Sequence, residues 1–334
     1  MTKSNRVVRL KRRPAGQVAA DDFAILDEPL AEPKDGEIRV RIAYVSLDPA
    51  MRGWISEGRS YVGPVAVGDV MRAYAAGHVE LSRNPRFAVG DAVTGLLGVQ
   101  SHAVSDGRGV IKVDEQLAPL PSWLGGLGMP GHTAYFGLKH VADVKPGETV
   151  VVSAASGAVG QVVGQIAKIE GARAVGIAGG PEKCAFITRD LGFDAAVDHK
   201  RPDLSDALKA AAPQGIDVDF ENVGGDVFDA VLARMNQFGR VALCGLISAY
   251  NATEPPPAPR NLRFVLTMRL KVQGFIVFDF AKQYKEATSA LLGWYRDGRL
   301  KLREDVRDDG LEAFPTVLRQ LYTGGNFGKL VLKL

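Results

Sequence analysis

The alternation of apolar runs with helical stretches over residues 125–298 strongly limits the folds open to this chain. Six short strand-like runs, most of them apolar along their whole length, are separated by helical patterns. A strand that is apolar on every residue is covered on both faces, which is typical of a parallel sheet. Right-handed connections between such strands give a doubly wound sheet. The segment therefore predicts an α/β domain with Rossmann topology. The runs cover 148–154, 173–179, 195–199, 216–224, 240–246 and 271–277.

The residues on either side of this segment predict a second, mostly-β domain. Residues 1–124 contain short β-like runs punctuated by Gly, Pro and Asp, with no long helical period before about residue 122. Such a pattern is typical of a partly barrel-like domain of the GroES type. The tail from residue 299 holds two more strand-like pieces, GRLKLRED and FGKLVLKL, which we expect to fold back onto this domain. The predicted domains are 1–124 with 299–334, and 125–298.

Charge and cysteine usage narrow the possible partners and locations. A net charge of +3 over 334 residues favours neither a nucleic acid nor a membrane surface as partner. No apolar run reaches the ~18 residues that cross a bilayer. Two cysteines, Cys184 and Cys244, favour a reducing compartment. The basic N-terminal segment alternates like a surface strand rather than a transit peptide. We therefore expect a cytoplasmic protein.

The stretch SAASGAVGQVVGQIAK, residues 153–168, has the pattern of a loop that binds a dinucleotide. A strand is predicted to end at about Ala154 and a helix to begin at about Ala158. Between them Ala155, Gly157 and Gly160 occupy the places of a G-x-G-x-x-G fingerprint, with alanine in the first. Gly157 lets the backbone approach a pyrophosphate, which the N–H groups and dipole of the helix start attract. A tight βα turn without a ligand is the alternative, but the surrounding strand–helix repeats favour a cofactor.

The end of the second strand of this domain indicates which dinucleotide binds. A site for NAD usually places Asp or Glu there, to accept the ribose 2′-hydroxyl. Here the strand ends GIAGG, residues 176–180, and Lys183 follows within the first turn of the next helix. An ammonium pairs with a 2′-phosphate, whereas a carboxylate repels it. The pattern therefore favours NADP(H), although Lys183 alone is compatible with an ordinary solvated lysine.

Several ordered segments together resemble one enzyme family. The chain is similar to the zinc-free medium-chain dehydrogenase/reductases, in the group of prostaglandin reductase, leukotriene B4 12-hydroxydehydrogenase and the alkenal and curcumin double-bond reductases. The resemblance covers nearly the whole chain. The segments are YVSLDPAMRGW, GMPGHTAYFGL, VVSAASGAVGQVVGQIAK, GGPEKC, FENVGG, CGLISAYN, LKVQGFIVFD and NFGKLVLK.

The resemblance implies a homodimer that uses NADPH, and it implies the residues of the cofactor site. The pyrophosphate would lie on one glycine-rich loop, and Lys183 would hold the 2′-phosphate. Asn222 would line the cofactor cleft, and the stretch from Cys244 to Tyr250 would run beneath the nicotinamide and its ribose. Residues 275–277 would pass the carboxamide, and Asn326 would close the site from the tail. In chain order the full set is Gly157, Ala158, Val159, Gly160, Lys183, His199, Asn222, Cys244, Gly245, Ser248, Tyr250, Phe275, Ile276, Val277 and Asn326.

Two positions depart from the family pattern. Similar proteins usually carry tyrosine where this chain has His199, the residue expected to meet the 2′-phosphate. A histidine still donates a hydrogen bond and gains charge below a pKa of ~6.5, so NADPH affinity is expected to fall as pH rises. Ala50 stands where relatives often have tyrosine, which removes bulk near the expected substrate cleft. The substrate is therefore expected to differ from that of the relatives.

The chemistry predicted from this sequence is metal-free reduction of an activated alkene. The histidines and cysteines show no zinc-ligand spacing. Hydride addition to the β-carbon of an enone or enal requires only hydrogen bonds to the developing enolate, and Tyr250 is the predicted donor. Arg52, Tyr61 and Met129 are expected in the substrate cleft, with a structural ion pair as the alternative for Arg52 and core packing as the alternative for Met129. A quinone reductase of the same superfamily and a non-catalytic NADPH-binding protein are the other functions left open.

Overall fold

A computed structural model of this chain describes residues 4–334. Its backbone divides into two compact units. Unit 1 contains the residues up to Gly125 together with Glu304–Leu334, and unit 2 contains Gly126–Arg303. Residues 299–303, which the sequence pattern assigns to the tail strand, belong to unit 2.

Unit 1 is mostly β-structure. Its elements are β1 (Ser4–Leu10), β2 (Phe23–Pro29), β3 (Ile38–Ser46), α1 (Met51–Trp54), β4 (Ala75–Ser82), β5 (Ala92–Gly95), β6 (His102–Ser105), β7 (Ile111–Lys112), α2 (Leu120–Leu124), β14 (Glu304–Arg307), α10 (Phe314–Thr323) and β15 (Lys329–Lys333). Strands β1 and β2 form a two-stranded antiparallel ribbon. The other strands form a seven-stranded mixed sheet of order β14-β15-β3-β4-β5-β7, with β6 paired to β3. Within residues 4–334 this sheet does not close into a barrel, because β14 and β7 remain its two ends.

The last strand completes the mixed sheet of unit 1, whereas the first strand pairs with β2 in the separate ribbon. The last strand, β15, pairs antiparallel with β3 and parallel with β14. The basic N-terminal segment forms the predicted strand, and its cations have acidic partners: Arg6 lies 2.6 Å from Asp27, and Arg9 lies 2.5 Å from Glu28. These pairs neutralise a surface that the sequence alone presents as basic.

Unit 2 contains a six-stranded, wholly parallel sheet with helices connecting its strands. Its strands are β8 (Thr149–Val152), β9 (Arg173–Ala178), β10 (Ala195–Asp198), β11 (Ile216–Glu221), β12 (Met235–Leu243) and β13 (Lys271–Gly274). Its helices are α3 (Met129–Phe136), α4 (Gly160–Ile169), α5 (Pro181–Arg189), α6 (Leu204–Ala211), α7 (Gly225–Leu232), α8 (Arg263–Thr267) and α9 (Tyr284–Arg296).

The strand order confirms the predicted doubly wound sheet. The order is β10-β9-β8-β11-β12-β13, so the direction of winding reverses between β8 and β11. This is the 3-2-1-4-5-6 order of a Rossmann fold, in which ligands bind at the carboxyl ends of the strands beside the reversal. The core follows the predicted apolar runs, with Val151, Val175 and Val241 fully or almost fully buried.

No helix within residues 4–334 has the length and apolar character needed to cross a membrane.

Candidate dinucleotide site

The loop between β8 and α4 lies at the reversal of the sheet. The strand ends at Val152 and the helix begins at Gly160, so each border of the loop lies about two residues outside the predicted one. Ala154 takes a left-handed φ of +49°, and its carbonyl accepts the N–H of Gly157 at 2.9 Å. A Cβ on Gly160 would overlap the backbone of Ala154 and Ala155. Glycine at 160 is therefore required by the loop itself.

Alanine in the first fingerprint place is accommodated by a glycine elsewhere. Ala155 is fully buried, and its Cβ lies 2.8 Å from the position that a Cβ on Gly176 would occupy. Gly176 lies in the neighbouring strand β9, and because it has no side chain it leaves room for the methyl group of Ala155. Gly164 faces the ring of Phe193, where a Cβ would overlap it. The small residues of α4 thus bring the helix close to its neighbours, and the N–H groups of Gln161, Val162 and Val163 donate to the carbonyls of Gly157 and Val159.

A group of basic residues surrounds the loop after β9. Lys183 lies half-buried in the first turn of α5. A Cβ on Gly179 would lie 2.9 Å from Nε2 of His199 and 3.3 Å from Cε of Lys200. We call Lys183, His199 and Lys200 the basic cluster. Lys200 was missed at the sequence level, although its place directly after His199 was a usable signal.

One carboxylate lies beside the basic cluster, but it is bound to the backbone. Oδ1 of Asp198 accepts the N–H of Gly180 at 2.8 Å and the N–H of Lys200 at 3.0 Å. These two bonds lower the pKa of Asp198, and His199 and Lys200 lower it further. The ionised Asp198 therefore organises the loop instead of replacing the acid that an NAD site needs.

The imidazole of His199 is less basic than usual. Partial desolvation of the ring lowers its pKa, Asp198 opposes this, and the charges of Lys200 and Lys183 lower it further. The ring is therefore mostly neutral at pH 7, since the unperturbed pKa is only ~6.5. An anion bound between these groups would stabilise the protonated ring.

Glu221 joins the ends of β8 and β11. It is fully buried, and its Oε1 accepts bonds from the Ser153 hydroxyl at 2.8 Å, the Gly224 N–H at 2.8 Å and the Val223 N–H. Burial raises its pKa to about 6, while these hydrogen bonds oppose the shift. Sequence reasoning missed Glu221, because nothing local reveals that its partner Ser153 lies on another strand.

Asn222 is anchored by the same serine. Its N–H donates to Ser153 Oγ at 2.7 Å, and its Nδ2 donates to the Ser153 carbonyl at 2.8 Å. The Cys244 N–H donates to the Glu221 carbonyl at 2.9 Å. Burial of the Cys244 thiol, with the nearby Glu221 charge, raises its pKa to about 12, so it stays protonated. Asn222 and Cys244 thus lie at adjacent strand ends.

The phenol of Tyr250 folds back over the loop that follows β12. Its Oη accepts the N–H of Leu246 at 3.3 Å and lies 3.0 Å from the position of a Cβ on Gly245. Ser248 packs toward Gly224, since its Oγ lies 3.2 Å from the position of a Cβ there. The 245–250 loop therefore lies against the loop after β11, at the carboxyl edge of the sheet.

The residues after β13 are divided between core and loop. The buried Phe275 ring packs edge-on to Phe220, with ring centroids 6.0 Å apart. The Ile276 N–H donates to Asp279 at 3.4 Å, and the Val277 carbonyl accepts the Tyr284 hydroxyl at 3.1 Å.

The remaining predicted residues belong to other elements of the two units. Met129 begins α3 and is half-buried, and its carbonyl accepts the Thr133 hydroxyl at 2.8 Å. In unit 1, Tyr61 is 50% exposed and its Oη accepts the Trp54 indole N–H at 3.0 Å. Asn326 precedes β15 and donates to the Gly328 carbonyl at 3.0 Å.

Arg52 is buried, and its guanidinium is committed to neighbouring groups. It donates to the carbonyls of Gly16 at 2.9 Å and Pro14 at 3.2 Å, and to the Ser56 hydroxyl at 2.5 Å. These contacts favour the structural alternative for Arg52, through carbonyl acceptors rather than an ion pair.

Among residues 4–334 no three His, Cys, Asp or Glu side chains are grouped as metal ligands.

Two family descriptions match the sequence, one in each unit. Residues 6–113 match the N-terminal domain of oxidoreductases, and residues 158–293 match a domain described as zinc-binding dehydrogenase. The NADPH-dependent curcumin reductase of Escherichia coli is 43% identical, with 99% of this chain and 97% of the relative aligned. This chain is a zinc-free medium-chain dehydrogenase/reductase of the prostaglandin and alkenal reductase group.

Further members of this reductase group are similarly close. The NADP(+)-dependent 2-alkenal reductase of Nicotiana tabacum is 41% identical, over 98% of this chain and 97% of the relative. The crystal structure of CurA from Vibrio vulnificus in complex with NADPH superimposes with a TM-score of 0.93, at 42% identity and 98% coverage of both chains. The family resemblance predicted from the sequence is confirmed.

Proposed function

We propose that this protein uses NADPH to reduce the carbon–carbon double bond of α,β-unsaturated aldehydes and ketones. The observation that carries the proposal is the basic cluster around the loop after β9, in a chain 43% identical to an NADPH-dependent reductase. Lys183, His199 and Lys200 offer two ammonium groups and an imidazole to the 2′-phosphate, the group that distinguishes NADPH from NADH. Asp198, held by the backbone, preserves this preference.

The residues at the carboxyl edge of the parallel sheet hold the rest of the cofactor. Gly157, Ala158, Val159 and Gly160 bind the pyrophosphate at the start of α4, since helix N-termini bind anions. Asn222 and the loop from Cys244 to Tyr250 bind the nicotinamide ribose. The backbone of residues 275–277 meets the carboxamide, and Asn326 completes the site.

The chemical role of Tyr250 follows from where charge develops. NADPH, when bound, would supply a hydride to the β-carbon of the substrate, with electron density moving to the carbonyl oxygen. The Tyr250 hydroxyl would donate a hydrogen bond to that oxygen and so stabilise the developing enolate. A proton then reaches the α-carbon from Tyr250 or from water. Tyr61 and Met129 line the substrate side, and Arg52 supports it by holding α1.

An absorbance assay with a panel of acceptors tests this function. The protein is mixed with NADPH and with enals, enones, saturated aldehydes and quinones, and NADPH loss is followed. Enals and enones are expected to be consumed. Turnover of quinones alone would support the quinone reductase alternative, and NADPH binding without turnover of any acceptor would support a non-catalytic role.

The protein is proposed to be a homodimer formed through β13. This strand is the free edge of the parallel sheet, and all four of its residues are exposed. Exposed apolar side chains accompany the edge: Val272 is 40%, Phe238 63% and Leu266 80% exposed. An exposed edge strand, even one of four residues, invites pairing with another strand, and a two-fold axis places the same edge of a second copy antiparallel to it.

Light scattering with a charge substitution tests the dimer. The wild-type chain is expected at twice the mass of 35.7 kDa, and Val272→Lys is expected to shift it to the monomer. A matched lysine at Val306, 41% exposed in unit 1, is the control and should leave the dimer intact. A wild-type monomer at micromolar concentration would contradict the proposal.

A cytoplasmic location is proposed on the state of the cysteines. Cys184 and Cys244 are both free thiols. A reducing compartment keeps thiols in that state.

A further inference from the structure

Two glutamine side chains on α4 hold the segment that leads out of unit 2. Gln161 Oε1 accepts the N–H of Arg303 at 2.9 Å, and its Nε2 donates to the Arg303 carbonyl at 3.0 Å. Gln165 pairs in the same way with Lys301, at 2.8 Å for each bond. Its second amide hydrogen goes to the Gln161 carbonyl at 2.8 Å. We call Gln161 and Gln165 with Lys301 and Arg303 the glutamine clamp.

The geometry of the glutamine clamp follows from two repeat lengths. A primary amide presents one acceptor and a donor side by side, so it can pair with both backbone groups of a residue as a neighbouring strand would. Four residues of helix rise about 6 Å, and two residues of extended chain rise about 6.6 Å. Side chains at i and i+4 therefore meet alternate residues of an extended segment. Asparagine is too short for this reach, and glutamate lacks the donor.

The two glutamine side chains of the clamp are almost entirely shielded from water. Gln161 is 1% exposed and Gln165 is 3% exposed. A buried amide that loses its partners costs about 1–3 kcal/mol, so all four bonds are strongly favoured. The segment is held on its other face by Leu302, whose side chain fills the space beside Gly126, where a Cβ would overlap it.

The glutamine clamp lies where the chain passes between the two units. Gly126 is the first residue of unit 2 and Arg303 is the last. Because Leu302 touches Gly126, the entering and leaving segments are packed together within unit 2. Gln161 follows directly after Gly160, which rests on the backbone of the glycine loop. One peptide unit therefore separates the loop from the residue that holds Arg303.

In unit 1, a hydrogen bond joins the start of β14 to the neighbour of a predicted site residue. The chain enters β14 at Glu304, and the next residue, Asp305, accepts the N–H of Phe327 at 2.8 Å. Phe327 follows Asn326, the tail residue assigned to the cofactor site. Asp305 therefore fixes the loop before β15 within unit 1.

We propose that Gln161 is a positioning residue for hydride transfer, because it fixes the helix that begins at the glycine loop to Arg303 within unit 2. The proposal rests on the reductase function given above. Occupation of the loop by the pyrophosphate stiffens the first turn of α4, and the glutamine clamp carries this order to residues 301–303. Removal of the clamp leaves NADPH binding nearly unchanged and slows hydride transfer, because the loop holds the cofactor less firmly in its reactive position.

Hydrogen–deuterium exchange tests the connection without requiring turnover. In the wild-type chain, saturating NADPH is expected to slow exchange of the Lys301 and Arg303 amides by about threefold or more, since ordering a segment protects its amides. In Gln161→Leu the protection of Arg303 is expected to be lost. Equal protection in both proteins would overturn the proposal, whether or not any enone is reduced.

Single-turnover kinetics test the consequence. With trans-2-hexenal as the acceptor, Gln161→Leu is expected to slow hydride transfer about tenfold or more, because small misplacements of reacting groups are costly. Its Kd for NADPH is expected to stay within about twofold of wild type. Gln161→Glu keeps the acceptor for Arg303 and should fall between the two. A transfer rate in Gln161→Leu equal to wild type, or a parallel loss of NADPH binding, would contradict a positioning role.

Control variants separate this effect from simple destabilisation. Gln165→Leu removes the bonds one turn farther from the loop and should slow transfer less than Gln161→Leu. Gln214→Leu, at an exposed site in unit 2, should change neither quantity. If Gln161→Leu does not fold, Gln161→Glu tests the proposal in its place. A wild-type rate of hydride transfer and wild-type protection of the Arg303 amide in Gln161→Glu would contradict the proposal. A wild-type chain that reduces no enone would refute the function but leave the exchange result intact.

Discussion

Asp198 accepts the N–H of Gly180 at 2.8 Å, so the carboxylate nearest the phosphate end of the candidate site is bound to the loop that it supports. Gly180 adopts a φ of +96° and leads into the first turn of α5, which carries Lys183. The carboxylate and the lysine therefore belong to one local arrangement. We propose that this arrangement determines which dinucleotide the protein prefers.

The first prediction concerns coenzyme choice. Lys183→Ala and Lys200→Ala are each expected to weaken NADPH binding by roughly tenfold, because hydrogen bonds to charged groups contribute about 1.5–3 kcal/mol. NADH binding should change little, since NADH lacks the 2′-phosphate. Titration of the coenzyme fluorescence measures both. Lys209→Ala on α6, an exposed lysine of the same unit, is the control. An equal loss of NADH and NADPH affinity would show that the lysines act through folding.

The second prediction concerns pH. Desolvation lowers the pKa of His199 in the free protein, and a bound 2′-phosphate raises it. NADPH binding then takes up a proton, so its affinity is expected to decrease as pH rises through the pKa of the bound ring. His199→Gln keeps a hydrogen-bond donor and should flatten this dependence. The ratio of Kd at pH 8 to Kd at pH 6 measures it in both proteins. The titration of the phosphate itself is shared by the two, so identical ratios would exclude His199.

The third prediction concerns Tyr250. Tyr250→Phe removes the hydroxyl but keeps the ring, and kcat for an enone is expected to fall about 100-fold, as for the loss of one donor to a developing oxyanion. The Kd for NADPH should stay nearly constant. Gly245→Ala is a companion test, because its Cβ would lie 3.0 Å from the Tyr250 oxygen and displace it. We expect it to lower kcat without removing the hydroxyl. An unaltered kcat in Tyr250→Phe would remove Tyr250 from the mechanism.

The fourth prediction concerns stability. Asp219 is fully buried on β11, between Val151 and Val241, and neither carboxylate oxygen has a hydrogen-bond partner. Burial raises its pKa well above the ordinary value, and the charge of Glu221 adds to the shift. The folded state therefore binds a proton that the unfolded chain releases near pH 4, and stability is lost as pH rises from there toward the folded pKa.

Two substitutions of Asp219 separate its charge from its polarity. Asp219→Val is expected to raise the free energy of unfolding by about 2 kcal/mol at pH 8, and by less at pH 5. Asp219→Asn should remove the part of the pH dependence that Asp219 contributes, but keep the cost of an unpaired polar group. Urea unfolding at the two pH values measures these differences. A valine variant less stable than wild type at pH 8 would show that the carboxyl has partners in the folded protein.

The sequence carries much of this architecture, because the information is local. Buried strands such as β8 and β9 are nearly continuous apolar runs, and the glycine at 160 is required by a loop only seven residues long. The basic residue Lys183 was found for the same reason: it follows the second strand directly. The predicted borders of the loop between β8 and α4 were less accurate, since the left-handed turn at Ala154 lengthens the loop.

The contacts that sequence reasoning missed join residues far apart in the chain. Glu221 depends on Ser153, 68 residues earlier, and Gln161 depends on Arg303, 142 residues later. Ala155 is tolerated in a glycine position because Gly176 faces it from another strand. Such pairs are decided by packing, and neither member shows its role in its own neighbourhood.

The position of isotope transfer tests the central claim most directly. The protein is mixed with trans-2-hexenal and NADPH deuterated at the transferable position, and the product is identified by mass spectrometry and NMR. Reduction of the double bond predicts hexanal with deuterium on the β-carbon. Formation of 2-hexen-1-ol with deuterium on the carbonyl carbon would contradict the account, because it would place the chemistry at the carbonyl group.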